Sequence, residues 1–253
     1  MKYFVSADIH GFYDIWMQEL NNKGFDINNP EHKIIVCGDL FDRGNQPKEI
    51  IKFILEHKDK VILIKGNHED LMEQMIARNK NDYGDIRNGT AQTIVDLYEQ
   101  WLITEFDLSK ISKETGLDEV LSMCIDYFET ENYILCGSRG WFTDRSMQTA
   151  SQNVDYSKII NREIIRLKMS LEAAKTLKNQ SNKEILAFLH FPPVWSDFRC
   201  DEIINLLSEY GIKRCYFGHI HGVYTVPSTF VDSGISFCMI SADFLDFIPQ
   251  IIP

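Results

Sequence analysis

The sequence has no CxxC pair, no long apolar run and no surplus of basic residues, and each absence removes a class of function. Its six cysteines (Cys37, Cys124, Cys136, Cys200, Cys215 and Cys238) are scattered. Several sit in apolar stretches, where a thiol behaves as a small hydrophobe, so neither a disulfide framework nor a thiolate zinc site is expected. No run approaches the length of a membrane span. The opening MKYFVSADIH carries one lysine and meets an aspartate at position 8, unlike the basic start and apolar core of a signal peptide. A soluble, cytoplasmic protein is the expectation. Lys and Arg number 26 against 37 Asp and Glu, a formal charge of −11. That balance disfavours nucleic acid and anionic membranes as partners, since both call for a basic face. Repeats, low-complexity tracts and linkers are missing too, so 253 residues at 44% apolar composition read as a single domain, 1–253.

What is present is a recurring strand and helix pattern. Apolar β-rich runs over 3–6, 33–37 and 61–64 predict strands, each followed by helical spacing. The helices place Phe12, Ile15, Trp16 and Leu20 on one face, then Ile50, Ile51, Ile54 and Leu55, then Leu71, Met72, Met75 and Ile76. Pro47 suits the first turn of the second helix. From about Asn79 a tract rich in Asn, Asp and Gly leads into helical periodicity through Ile94, Val95, Trp101 and Leu102, and again over 117–128. This predicts a helical cap insert over about 79–131. Further strands are expected over 133–136, 184–189, 213–217, 237–240 and 244–248. Helices are expected over 156–178 and 201–210, the second ended by Gly211.

Five of the strands run directly into loops bearing potential metal ligands: SADIHG at 6–11, CGDLFDRG at 37–44, KGNHED at 65–70, LHFPP at 189–193 and FGHIHG at 217–222. Strand ends of an α/β sheet converge on one edge, so loops distant in sequence can meet there. Five of the seven histidines (His10, His68, His190, His219 and His221) fall in these loops. One such histidine alone would be an ordinary structural or surface residue. Five in the same strand-to-loop context point to a metal centre. Two carboxylates, an amide oxygen and several imidazoles suit Mn, Fe, Zn or Co better than Ca or Mg. The set is too large for one tetrahedral zinc. Two divalent transition-metal ions are therefore expected, with manganese favoured.

In order, DxH at Asp8 and His10, GDxxDRG from Gly38 to Gly44, GNHE from Gly66 to Glu69, His190 after a strand, and GHxHG from Gly218 to Gly222 resemble the calcineurin-like metallophosphoesterase superfamily. The DRG and GNHE wording is similar to serine/threonine protein phosphatases and diadenosine tetraphosphate hydrolases, whereas GHIHG is similar to the broader phosphodiesterase branches. The resemblance covers the chain before residue 79 and after about residue 183. It implies an α/β fold of two mixed β-sheets packed as a sandwich flanked by helices. It also implies that Asp8, His10, Asp39 and His221 hold one ion, while Asp39, Asn67, His190 and His219 hold the other.

Roles beyond the ligands follow from chemistry as well as likeness. His68 adjoins Asn67 and is expected to protonate the leaving oxygen, with Asp42 orienting its ring. Arg43 is expected to donate to phosphate oxygens; the plainer alternative makes Asp42 and Arg43 a surface ion pair. Glu69 reads as a first-turn acid favoured by the helix dipole. Arg139, in CGSRGWFTD at 136–144, is either a second substrate contact or part of a packed turn. The insert carries none of the motifs and is expected to select substrate.

The implied reaction is in-line attack by metal-bridging hydroxide on a phosphomonoester, borne by a small molecule, a nucleotide or a phosphoprotein. Alternatives are a nucleotide phosphodiesterase or dinucleoside polyphosphate hydrolase and, from another class, a catalytically silent scaffold, which would have lost ligands.

Overall fold

The computed structural model describes residues 1–98, 107–141, 156–224 and 226–253. The chain divides into two compact units, Met1–Ile125 with Ile240–Pro253, and Asp126–Met239.

The first unit opens with β1 (Lys2–Ser6), α1 (Tyr13–Asn22), β2 (His32–Cys37), α2 (Pro47–Glu56), β3 (Val61–Ile64) and α3 (Asn67–Arg78). Strand β2 runs parallel to both β1 and β3, and a closing strand, Gln250–Ile252, lies antiparallel along the outer edge of β1. Ile34, Ile35, Val36 and Cys37 are all buried, the continuous apolar run typical of a strand inside a parallel sheet.

Four short helices follow: α4 (Tyr83–Asn88), α5 (Thr90–Tyr98), α6 (Leu108–Thr115) and α7 (Leu117–Ser122). Their Ile94, Leu97, Leu108, Ile111, Leu117, Val120 and Leu121 belong to one hydrophobic cluster with Phe4, Ile34, Val36, Ile50 and Ile54. The insert thus shares the core of the sheet it follows. Trp101 and Leu102 lie outside the described residues.

Three local expectations are corrected. In α1 the inward face is Trp16 and Leu20, whereas Ile15 is exposed and Phe12 caps the helix, its ring edge-on to Phe247 at 5.9 Å. Residues 117–128 do not form one helix: α7 stops at Ser122, and β4 (Tyr127–Glu129) pairs with the strand after it. Aromatic residues fit a sheet edge, and pairing there outweighs the helical spacing. Residues 244–248 are not a strand. Leu245 N–H donates to the carbonyls of Ser241 and Ala242, Phe247 N–H donates to Ala242, and Asp246 and Phe247 are left-handed, so local turns take the backbone groups that a ladder would need.

The second unit contains β4, β5 (Tyr133–Ser138), α8 (Tyr156–Lys178), β6 (Glu184–Leu189), β7 (Val194–Trp195), β8 (Phe198–Arg199), α9 (Asp201–Glu209), β9 (Arg214–Phe217), β10 (Thr229–Asp232) and β11 (Ile235–Met239). Its six-stranded sheet has the order β10-β11-β9-β6-β5-β4, parallel in the four inner strands and antiparallel at both edges. Strands β7 and β8 form a separate hairpin. Helix α8 packs on β4, β5 and β6, burying Leu167, Leu171 and Ala174 at the four- and three-residue spacing of one helical stripe.

The α/β class is thus realised as two mixed sheets flanked by helices. Among the described residues no helix is long and apolar enough to cross a membrane.

Candidate metal centre

In the first unit every motif loop leaves the C-terminal end of a parallel strand, which brings those ends to one edge. Asp8 and His10 follow β1, Asp39 follows β2, and Asn67 and His68 open α3 just after β3. Backbone bonds lace the loops together: Asp8 N–H to Gly38 O at 3.0 Å, His10 N–H to Asp39 O at 3.0 Å and Gly44 N–H to His10 O at 2.8 Å. A Cβ on Gly44 would lie 2.5 Å from that carbonyl, so the DRG glycine is what lets the two loops touch.

The backbone itself is unusual here. Among the described residues, eleven non-glycine positions have positive φ, and six of them are predicted site residues: Asp8, His10, Asp39, Asp42, Arg43 and His219. Such conformations cost roughly 1–3 kcal/mol each and persist where the surroundings over-determine them, a pattern concentrated at functional sites.

Side-chain geometry prepares these residues for cations. His10 is buried, and its Nδ1 lies 2.8 Å from the Phe41 carbonyl. A carbonyl only accepts, so Nδ1 carries the proton and Nε2 presents its lone pair. Burial pushes the His10 imidazole down to about 4, against the pull of Asp39 and Asp8, so the ring is neutral and able to ligate. Asp39 is fully buried, and its Oδ1 accepts from His68 N–H at 3.0 Å. That bond turns Oδ2 to 3.7 Å from Nε2 of both His10 and His68. His10, Asp39 and His68 thus form a buried group able to hold a metal ion.

His68 differs from His10 in its second partner. Its Nδ1 lies 2.5 Å from Asp42 Oδ2. Burial opposes charge on this ring, but Asp39 and the bond to Asp42 outweigh it and hold the imidazole above its ordinary value. Because a carboxylate only accepts, Nδ1 carries the proton in the bond to Asp42, and Nε2 faces Asp39. Asp42 is buried, which sets aside the surface ion pair; Arg43 is exposed beside it.

Three features escaped the sequence reading. Glu69 is more than a first-turn acid: fully buried, it accepts from Asp39 N–H at 2.9 Å, Leu40 N–H at 2.8 Å and Gly66 N–H at 2.8 Å. It therefore sets the Asp39 loop against the start of α3. A side chain at Gly66 would collide with Asp39. The other two features are Thr90 and Thr93 of the insert, whose hydroxyls both bond to Asp42. Glu69→Gln would point an amide N–H at one of the backbone donors. It is expected to weaken metal affinity by about 10- to 100-fold, the usual cost of a lost supporting partner, measured by titration of metal into the stripped protein.

In the second unit the same strand-end rule holds. His190 follows β6, His219 and His221 follow β9, and Arg139 follows β5. Gly218 N–H donates to His190 O at 3.0 Å, joining two of the loops. His190 is fully buried and its ring lies 5.3 Å from that of His219; both His219 and His221 are half-buried. Phe191 packs edge-on to His219 at 4.3 Å. Arg139 lies 5.9 Å over the Phe191 ring and pairs at 2.9 Å with the buried Glu163. Thr143 and Asp144, which end its motif, lie outside the described residues.

Comparison with known proteins gives the arrangement its context. The zinc-dependent endopolyphosphatase of Saccharomyces cerevisiae is 24% identical over 225 residues, covering 83% of this chain and 66% of that protein. A symmetrical bis(5'-nucleosyl)-tetraphosphatase of Buchnera aphidicola is 36% identical over 67 residues, 26% of this chain and 23% of that one. The chain therefore spans less than two thirds of either relative. Among solved structures, a serine/threonine phosphatase of Saccharomyces cerevisiae aligns with a TM-score of 0.50 over 98% of this chain and 70% of that one, at 13% identity, a likeness of fold. The family model for calcineurin-like phosphoesterase matches residues 1–223, a span that takes in all five of the loops built above, and the chain belongs to that family.

Proposed function

We propose that the protein is a dinuclear-metal phosphoesterase acting on a phosphomonoester, with Asp8, His10, Asp39, Asn67, His190, His219 and His221 as metal ligands and Asp39 shared by both ions. The observation that carries this reading is the setting of Asp39, whose Oδ2 lies equidistant from two buried imidazole nitrogens, one of them on a ring locked in its ligating tautomer. When bound, the ions would supply Lewis-acid charge and an activated water. The thiolate-free oxygen and nitrogen donor set favours manganese, with iron, zinc and cobalt as alternatives.

The chain's own groups supply the remainder. His68 holds a proton at Nε2 for the leaving oxygen, and Asp42 fixes the opposite side of its ring. Arg43, exposed next to Asp42, donates to the non-bridging phosphate oxygens. Arg139 is the secondary contact, because Glu163 already takes one of its guanidinium nitrogens.

The substrate class proposed is a phosphorylated small molecule, nucleotide or phosphoprotein. A second reading, hydrolysis of a dinucleoside polyphosphate or a polyphosphate, is favoured by the names of the relatives. A silent scaffold fits poorly, since every ligand position and the proton donor are filled.

Purified protein is expected to carry close to two transition-metal ions by elemental analysis. It should hydrolyse at least one member of a panel of monoesters, diesters, dinucleoside polyphosphates and polyphosphate in a manganese-dependent way. Two bound ions with no turnover across the panel would overturn the enzymatic reading, and turnover insensitive to metal removal would overturn the metal assignment.

A further inference from the structure

The start of α5 closes on the Asp42–Arg43 turn. Thr90 and Thr93 stand three residues apart, on one face of the helix, and both are buried. Thr90 Oγ1 donates to Asp42 Oδ2 at 2.9 Å, the same oxygen that bonds His68 Nδ1. Thr93 Oγ1 donates to Asp42 Oδ1 at 2.6 Å and accepts from Asp42 N–H at 3.2 Å. The preceding Gly89 is left-handed, and a Cβ there would lie 3.2 Å from Arg43 N and 3.4 Å from Asp42 Cβ. A threonine inside a helix commonly bonds back to its own preceding turn. Thr93 has that option in Gly89 O, but at 3.4 Å, against 2.6 Å to Asp42.

We propose that Thr90 and Thr93 are positioning residues for the proton donor, acting through Asp42 to hold the His68 ring in one orientation. The proposal rests on the reading of His68 as general acid. A carboxylate held only by one imidazole can turn about its Cβ–Cγ bond and carry the ring with it. Hydroxyl donors on both oxygens leave a single orientation. They also satisfy a charge that is buried and would otherwise be costly to keep there. Asp42 stands between the threonines and His68, so neither threonine touches the reacting atoms. Through this clasp the insert contributes to proton delivery, a role its motif-free sequence does not display.

The test is a mutant cycle. Thr90→Val/Thr93→Val keeps side-chain shape and removes both donors. It should lower kcat on an alkyl phosphate by about 10- to 100-fold, the range for lost supporting partners, with a much smaller loss on p-nitrophenyl phosphate, little change in KM and unchanged metal content. Thr90→Ser/Thr93→Ser, which keeps both hydroxyls, should recover most of the alkyl phosphate activity. In a His68→Ala background the valine pair should cause no further loss on the alkyl phosphate, since groups acting through one residue are not additive.

Equal losses on the two substrates, a further loss in the His68→Ala background, or loss of metal would overturn the positioning role. If the valine pair does not fold, Thr90→Val alone, which removes one donor to Asp42 Oδ2, should show the same substrate dependence in smaller measure, and its absence would overturn the proposal. A His68→Ala enzyme with no substrate dependence would bring down the general-acid reading as well. Substrate dependence in His68→Ala but not in the valine variants would bring down the positioning role alone.

Discussion

Asp39→Asn is expected to reduce metal content from two ions to one or fewer and to cut kcat/KM by at least about 10³-fold, the scale on which a charged member of a catalytic constellation matters. The amide has the same volume and can keep the bond from His68 N–H to its oxygen, so the buried site has no steric reason to collapse. What changes is the atom facing the two imidazoles at 3.7 Å. An anionic oxygen becomes an N–H donor that repels cations and offers no lone pair. Elemental analysis beside a thermal melt separates loss of metal from loss of fold. Two fully occupied sites in a folded Asn variant would refute Asp39 as the shared ligand.

His68→Ala is expected to retain both metals and to lose activity on alkyl phosphates by about 10²- to 10⁴-fold, the contribution of a positioned general acid. A p-nitrophenolate departs without a proton, so its phosphate ester should suffer far less. The geometry makes this experiment decisive, because His68 Nε2 stands as close to Asp39 as His10 Nε2 does and proximity alone would allow ligation. Loss of an ion in the variant would make His68 a ligand. Equal losses on both esters would make it a stabiliser of phosphoryl charge.

The candidate site residues stand out in the sequence because each follows an apolar strand closely, with glycines and histidines concentrated at those few positions. Its supports were not. Glu69 follows GNH and looks like any acid in a first helical turn, yet two of its partners lie 30 and 29 residues away in the Asp39 loop. Thr90 and Thr93 sit in the plain polar run NGTAQT, and their partner Asp42 is 48 and 51 residues distant. Long-range hydrogen bonds leave no period and no motif. The fold followed the same division. Runs such as 61–64 and 184–189 were correctly placed because burial makes them continuously apolar. Residues 244–248 are apolar apart from Asp246, but are claimed by turns about Asp246 and Phe247. Tyr127 and Phe128 took a sheet edge because β5 offered a partner.

The closing strand also bears on the order in which the molecule can be made. It pairs Ile252 with Tyr3, Ile251 with Phe4 and Gln250 with Val5. Ala7 N–H bonds Ile240 O, and Ala242 N–H bonds Ala7 O, on the residue immediately before Asp8. A growing chain therefore exposes β1 long before the strand that covers its edge exists. The continuous segment Asp126–Met239 can complete its own sheet in the meantime. Closing so long a loop adds little equilibrium cost, since the penalty grows only with the logarithm of length, but contacts this distant in sequence form slowly. The backbone bonds bordering Asp8 thus cannot form until residues 240–252 have been made, after all five motif loops.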